Sequence, residues 1–81
     1  MVKVRLWGTL RQWTDGQQDV DVEGQTFKQV LDNLSAAYPG LAPQIKRGVS
    51  LAVDGVIYRD AWFQPIAPGA EVVLMPFMKG G

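Results

Sequence analysis

One stretch of this 81-residue sequence carries a long apolar stripe at helical spacing: Phe27, Val30, Leu31, Leu34 and Tyr38. Lys28, Asp32, Asn33 and Ser35 fall on the other side. The stretch has clear limits. Thr26 is a good N-cap, and Gln29 three residues on completes a capping box that satisfies two backbone N–H groups at the helix start. Pro39-Gly40 ends the helix, because proline cannot continue it and glycine accepts a left-handed exit. A single three-turn helix cannot bury its stripe alone, so the rest of the chain must supply a sheet for it to lie across.

The flanking sequence reads as strands. Val2, Val4 and Leu6 alternate with Lys3, Arg5 and Trp7, and Val20 and Val22 alternate with Asp19, Asp21 and Glu23. Gly8 to Trp13 is a less regular link in which Leu10 and Trp13 tuck against the core edge, and Asp15-Gly16 is a turn signal. After the helix, Leu41 to Gly48 reads as a connector that exposes Lys46-Arg47. Val49, Leu51 and Val53 then form a third strand, and Asp54-Gly55 turns it into Val56-Ile57-Tyr58. Arg59 to Gln64 is a loop or short helical turn anchored by Trp62 or Phe63, and Pro65 to Gly69 leads into a last strand over 70–77.

The fold class expected is α+β, with a mixed four- to five-stranded sheet and one main helix across one face. The most economical arrangement pairs the first and last strands in parallel at the sheet centre through a right-handed crossover. That is the β-grasp, or ubiquitin-like, architecture. The expected organisation is one domain over 1–77 and a flexible tail over 78–81.

Composition removes several classes of function. Apolar residues make up 47% and charged residues 20%, as in a folded domain, and 8 basic residues balance 8 acidic ones. No basic footprint for nucleic acid or polybasic face for a membrane follows. There is no cysteine for a disulfide, a thiolate nucleophile or a thiolate metal site, and no histidine for near-neutral acid–base work. The charged opening strand does not resemble a signal peptide, and no apolar run approaches the roughly 20 residues that span a bilayer. The expected compartment is the cytoplasm, with no bound cofactor and no metal. Asp19, Asp21, Glu23, Asp32 and Asp60 read as solvated acids, and Trp7, Trp13 and Trp62 as core and rim packing.

The last strand departs from simple alternation. Val72 and Leu74 suit the face beneath the helix, yet Val73, Met75 and Phe77 on the other side are also apolar. Either a loop covers those three or they form a docking surface, and the docking reading is preferred because methionine suits a surface that adapts to partners. Beyond Phe77 runs Met78-Lys79-Gly80-Gly81. Four extended residues reach roughly 13–14 Å, enough to enter another protein's pocket. Glycine lacks the Cβ that would block a narrow channel, and it leaves a terminal carbonyl open to attack.

The chain resembles the MoaD/ThiS sulfur-carrier family, which includes the small subunit of molybdopterin synthase. The resemblance rests on the opening Val-Lys-Val-Arg-Leu, on Thr26 leading into the helix, on Tyr38-Pro39-Gly40-Leu41 and on Val53-Asp54-Gly55. It continues through Pro65-Ile66, Gly69-Ala70-Glu71-Val72 and the closing Gly-Gly. It implies a carrier rather than an enzyme. An E1-like partner would use ATP to adenylate Gly81, with Gly80 keeping the approach unhindered, and a sulfur donor enzyme would convert the acyl-adenylate to a thiocarboxylate. An acceptor such as a molybdopterin synthase large subunit would then take the sulfur, with Val73, Met75, Phe77, Met78 and Lys79 as the partner-binding residues. Carriers for thiamine, cysteine or a secondary metabolite, a ubiquitin-like protein modifier, and a non-catalytic interaction module are the alternatives. The family's molybdopterin branch commonly has a second proline where this chain has Phe77.

Overall fold

The fold is given by a computed structural model that describes residues 1–76. Alternation makes β1 (Val2–Leu6), with Val2, Val4 and Leu6 buried and Lys3 and Arg5 outside. It makes β2 (Asp19–Val22) in the same way, and the two pair antiparallel with Val2 opposite Val22 and Arg5 opposite Asp19. Their connection is longer than a tight hairpin, because Gly8–Trp13 coils into a 3₁₀ helix that buries Leu10 before the Asp15-Gly16 turn. Thr14 is fully buried there, its hydroxyl shared between the Arg11 and Gln17 carbonyls at 3.2 and 2.9 Å.

β3 (Val49–Val53) and β4 (Val56–Tyr58) form a true two-residue hairpin, with φ of 49° at Asp54 and 85° at Gly55. Those positive angles match the twist of the flanking strands. The turn is also tied to the approach of the last strand: the Asp54 N–H donates to the Glu71 carbonyl, and the Glu71 N–H donates to Asp54 Oδ1. β5 (Val72–Pro76) lies parallel to β1 on one side and antiparallel to β3 on the other, so the five-stranded order is β2-β1-β5-β3-β4. The first and last strands therefore meet in parallel at the middle of a mixed sheet, as the element order implies. This is the β-grasp fold.

α1 (Phe27–Ala37) covers one face. Its start follows the capping pattern, with the Gln29 N–H donating to Thr26 Oγ1 and Gln29 Oε1 accepting from the Gln25 N–H. Phe27, Val30, Leu31 and Leu34 pack with Val4, Leu6, Leu51, Val72 and Leu74 in one core, to which Leu41 and Ile66 also belong. Among the described residues no buried side-chain nitrogen or oxygen lacks a partner.

Three expectations require correction. Gly40 does not take a left-handed exit. The helix ends through Tyr38 into a 3₁₀ turn over Pro39–Leu41, and Gly40 is small because a Cβ there would sit 3.0 Å from Trp13 Cε3. The expected connector over 41–48 contains a second helix, α2 (Ala42–Arg47), with Pro43 in its first turn where no N–H partner is needed. Six residues are too few to print a helical period. The tryptophans are not core residues: Trp7, Trp13 and Trp62 are 58%, 39% and 42% exposed. Trp13 packs on Gly40 and Trp62 packs on Phe27, which leaves Trp7 as the outlier.

Candidate functional site

The sheet has two faces and the helices cover one. On the other, register places Arg5, Val73, Ala52 and Ile57 in one row across β1, β5, β3 and β4. One step further along, Ser50 lies opposite Met75, and alternation brings Trp7 to the same face beside them. The Trp7 N–H donates to the Leu74 carbonyl at 3.0 Å, which continues the β1–β5 ladder to that point.

This open face is divided by charge. The β1–β2 side is ionic: Lys3 stands opposite Asp21, and Arg5 Nε donates to Asp19 Oδ1 at 3.2 Å. Both partners of that pair are substantially solvated, so it adds little stability. The β5–β3–β4 side is apolar. Val73 and Met75 are half-buried, Ile57 is exposed, and Trp7 is exposed. Trp7, Gly8, Thr9 and Pro76 line a notch of about 220 Å³ at the end of β5. An apolar strip of this kind can hold an incoming protein surface by removing area from water, and an ionic half can fix its orientation.

Of the residues singled out in the sequence, Val73 and Met75 come together here, on the face without a helix. Phe77, Met78, Lys79, Gly80 and Gly81 lie outside the described residues. Trp7 and Ile57 were missed as members of the strip. The signal was present, because alternation puts Trp7 on the side of Lys3 and Arg5, opposite to Leu6. Asp32 is paired with Lys28 at 2.7 Å on α1, and Lys46-Arg47 forms the exposed last turn of α2. Among the described residues no three acidic side chains gather where they could hold a metal. No helix among them is long and apolar enough to cross a membrane.

This geometry has counterparts. A family model, described as the ThiS family, matches residues 4–81. No curated protein sequence matches the chain. Among solved structures, Mycobacterium tuberculosis CysO, an antigen, is 26% identical over 96% of this chain and 100% of its own, with a TM-score of 0.82. SAMP1 from Haloferax volcanii is 25% identical over 99% of this chain and 98% of its own, with a TM-score of 0.70. A chain of the Amycolatopsis orientalis BexX/CysO complex shares the fold, with a TM-score of 0.78 at 19% identity over the whole of both chains.

Proposed function

The chain belongs to the ThiS family of small ubiquitin-like carriers, and from that membership we propose that it carries sulfur as a thiocarboxylate on Gly81. The observation that supports this reading is the placement of β5, the strand that precedes the Gly-Gly tail in sequence. β5 is hydrogen-bonded on both sides at the centre of the sheet, its outer side bears Val73 and Met75, and four residues of sequence separate its end at Pro76 from Gly81. The carrier group thus follows, within a few residues of sequence, the strand that bears the docking strip.

The chemistry belongs to partners. The Gly81 carboxylate oxygen attacks the α-phosphorus of ATP on an E1-like enzyme, forming an acyl-adenylate and releasing pyrophosphate. A hydrosulfide from a sulfur donor then adds to the acyl carbon, and AMP leaves with the bonding pair. The product is the thiocarboxylate, which passes its sulfur to a biosynthetic acceptor. This chain's part is to dock, orient and present an unhindered terminus: the strip binds the partner, and Gly80 admits the terminus to a narrow channel. The acceptor we place first is a molybdopterin synthase large subunit, because the chain's length resembles that branch of the family more than the shorter thiamine carriers. A second reading, conjugation of Gly81 to amines as a protein modifier, is favoured by the likeness to SAMP1, a small archaeal modifier protein.

Intact mass spectrometry after incubation with the cognate activating enzyme, ATP and a sulfur donor tests the reading. The expected product has one oxygen replaced by sulfur, and with no cysteine in the chain no side-chain thiol can imitate it. An unchanged mass sinks the carrier reading, whereas amine adducts at Gly81 without sulfur uptake establish the modifier.

A further inference from the structure

Acids and bases balance over the whole chain, yet the strand register sorts them by end. β1 and β5 finish, and β3 begins, at the end of the sheet where Val49 lies opposite Pro76. Arg11 follows β1, Lys46 and Arg47 precede β3, and Arg59 follows β4, so four cations lie at this end against Asp15 and Asp60. At the opposite end Glu23 follows β2, Asp54 turns β3 into β4 and Glu71 precedes β5. Those three acids and Asp21 stand against Lys3 and the N-terminal amine. The Arg5–Asp19 and Lys28–Asp32 pairs cancel between them. The described residues therefore form a dipole, and its positive end is the one at which β5 gives way in sequence to the Gly-Gly tail.

Two of these cations are uncommitted. Arg11 is half-buried, and its Nε donates to the Leu6 carbonyl at 3.3 Å. Lys46 and Arg47 are exposed, and among the described residues neither has an acidic partner. The helix that displays them is held in place. Leu41 before α2 is fully buried, Ile45 packs on the core, and the Gly48 N–H donates to the Ile45 carbonyl at 3.1 Å. Arg47 is two residues in sequence from Val49, the partner of Pro76. The apolar notch of Trp7, Gly8, Thr9 and Pro76 lies at the same end. The end of β5 thus has an apolar surface on the open side of the sheet and two unpaired cations on the helix side.

We propose that Lys46 and Arg47 form a second contact, beside the docking strip, for acidic side chains on the activating partner. The partner is the one the carrier reading requires, and the contact rests on that reading. An enzyme that takes in the tail meets this end of the molecule, and carboxylates are the protein groups that match an exposed guanidinium and ammonium. Charge also acts before contact. Steering reaches over about a Debye length, ~10 Å at 0.1 M salt, and an acidic rim attracts the positive end while it repels the end that holds Asp21, Glu23, Asp54 and Glu71. The dipole thereby turns the tail end forward and disfavours end-for-end docking.

Stopped-flow association of the full chain with the activating enzyme, from about 10 mM to 1 M salt, tests the proposal. Arg47→Glu is expected to associate at least about fivefold more slowly than wild type at low salt, with dissociation little changed, and Lys46→Glu similarly. The curves converge near 1 M, where the Debye length is ~3 Å. Lys28→Glu makes the same change in net charge away from the tail and is expected to slow association by less than about twofold. Cations in a helix's last turn also offset its partial negative charge, so urea midpoints are read beside the rates to show that each variant is folded. An unchanged rate for Arg47→Glu overturns the proposal, as does equal slowing by Lys28→Glu or a wild-type rate indifferent to salt. Sulfur uptake is read separately by mass. If Arg47→Glu slows association while wild type gains no sulfur, the contact stands and the carrier reading falls. A wild-type chain that binds no activating enzyme overturns both.

Discussion

Leu74 and Met75 are neighbours on β5 with opposite duties, and exchanging each separates stability from docking. Leu74 is fully buried beneath α1, whereas Met75 is half-buried on the open face beside Trp7 and Ser50. Truncating a buried leucine to alanine costs about 2–5 kcal/mol. A domain of this size has roughly 4–12 kcal/mol to lose, at 0.05–0.15 kcal/mol per residue. Leu74→Ala therefore lowers the urea midpoint by a large fraction and unfolds the chain in the worst case. Met75→Arg should shift stability by less than about 1 kcal/mol, since the guanidinium reaches water from a half-open site.

Binding reverses the order. A fully buried methionine contributes about 1.5–3 kcal/mol, and most of Met75 is already buried in the free chain, so covering the rest is worth up to about 1 kcal/mol. Forcing an unpaired guanidinium beneath the partner adds about 2–3 kcal/mol more. The sum of about 2–4 kcal/mol predicts a rise in Kd of roughly 30- to 900-fold. Titration calorimetry against the activating enzyme, with urea melts of the same samples, reads both quantities. An unchanged Kd for folded Met75→Arg would refute the assignment of the open face as the docking surface. A Met75→Arg variant that loses as much stability as Leu74→Ala would refute the division of β5 into two faces.

Further tests follow from single contacts. Gly24 has φ of +151°, and a Cβ there would lie 2.9 Å from both the Val30 backbone nitrogen and Val30 Cγ2. Gly24→Ala should thus lose about 2–4 kcal/mol in chemical denaturation, and a loss below about 1 kcal/mol would contradict the close approach. Thr26→Ala removes the oxygen that accepts from the Gln29 N–H and should lose about 1 kcal/mol, with Thr26→Ser retaining most of it. Removing Gly81 alone should abolish sulfur uptake in the mass assay and leave the thermal midpoint unchanged. A shortened chain that still gains sulfur refutes Gly81 as the carrier group.

Much of this molecule is written in local pattern. Alternation over Val2–Leu6 and Val20–Val22, the 3.6-residue stripe from Phe27 to Leu34 and the Asp54-Gly55 turn each act over a few residues, so each element was legible before any contact was known. Counting one long helix against several strands then left few ways to bury the stripe, and the parallel pairing of β1 with β5 followed. The apolar outer side of β5 was readable for the same reason, because strand period assigns Val73 and Met75 to one face.

What the sequence could not carry was everything decided by distant neighbours. Gly40 looked like a helix stop, and only packing revealed that it makes room for Trp13, 27 residues earlier in the chain. The six residues of α2 were too short to show a period and are held by contacts with α1 and β3. Exposure of Phe63 was equally hidden, since an aromatic side chain has the same identity in a core or on a surface. The sequence by itself determined the five strands, the main helix and their order, because those follow from period and turn chemistry. Tertiary structure decided which apolar side chains were left over once the core was full, and on the open sheet face those include Trp7 and Ile57.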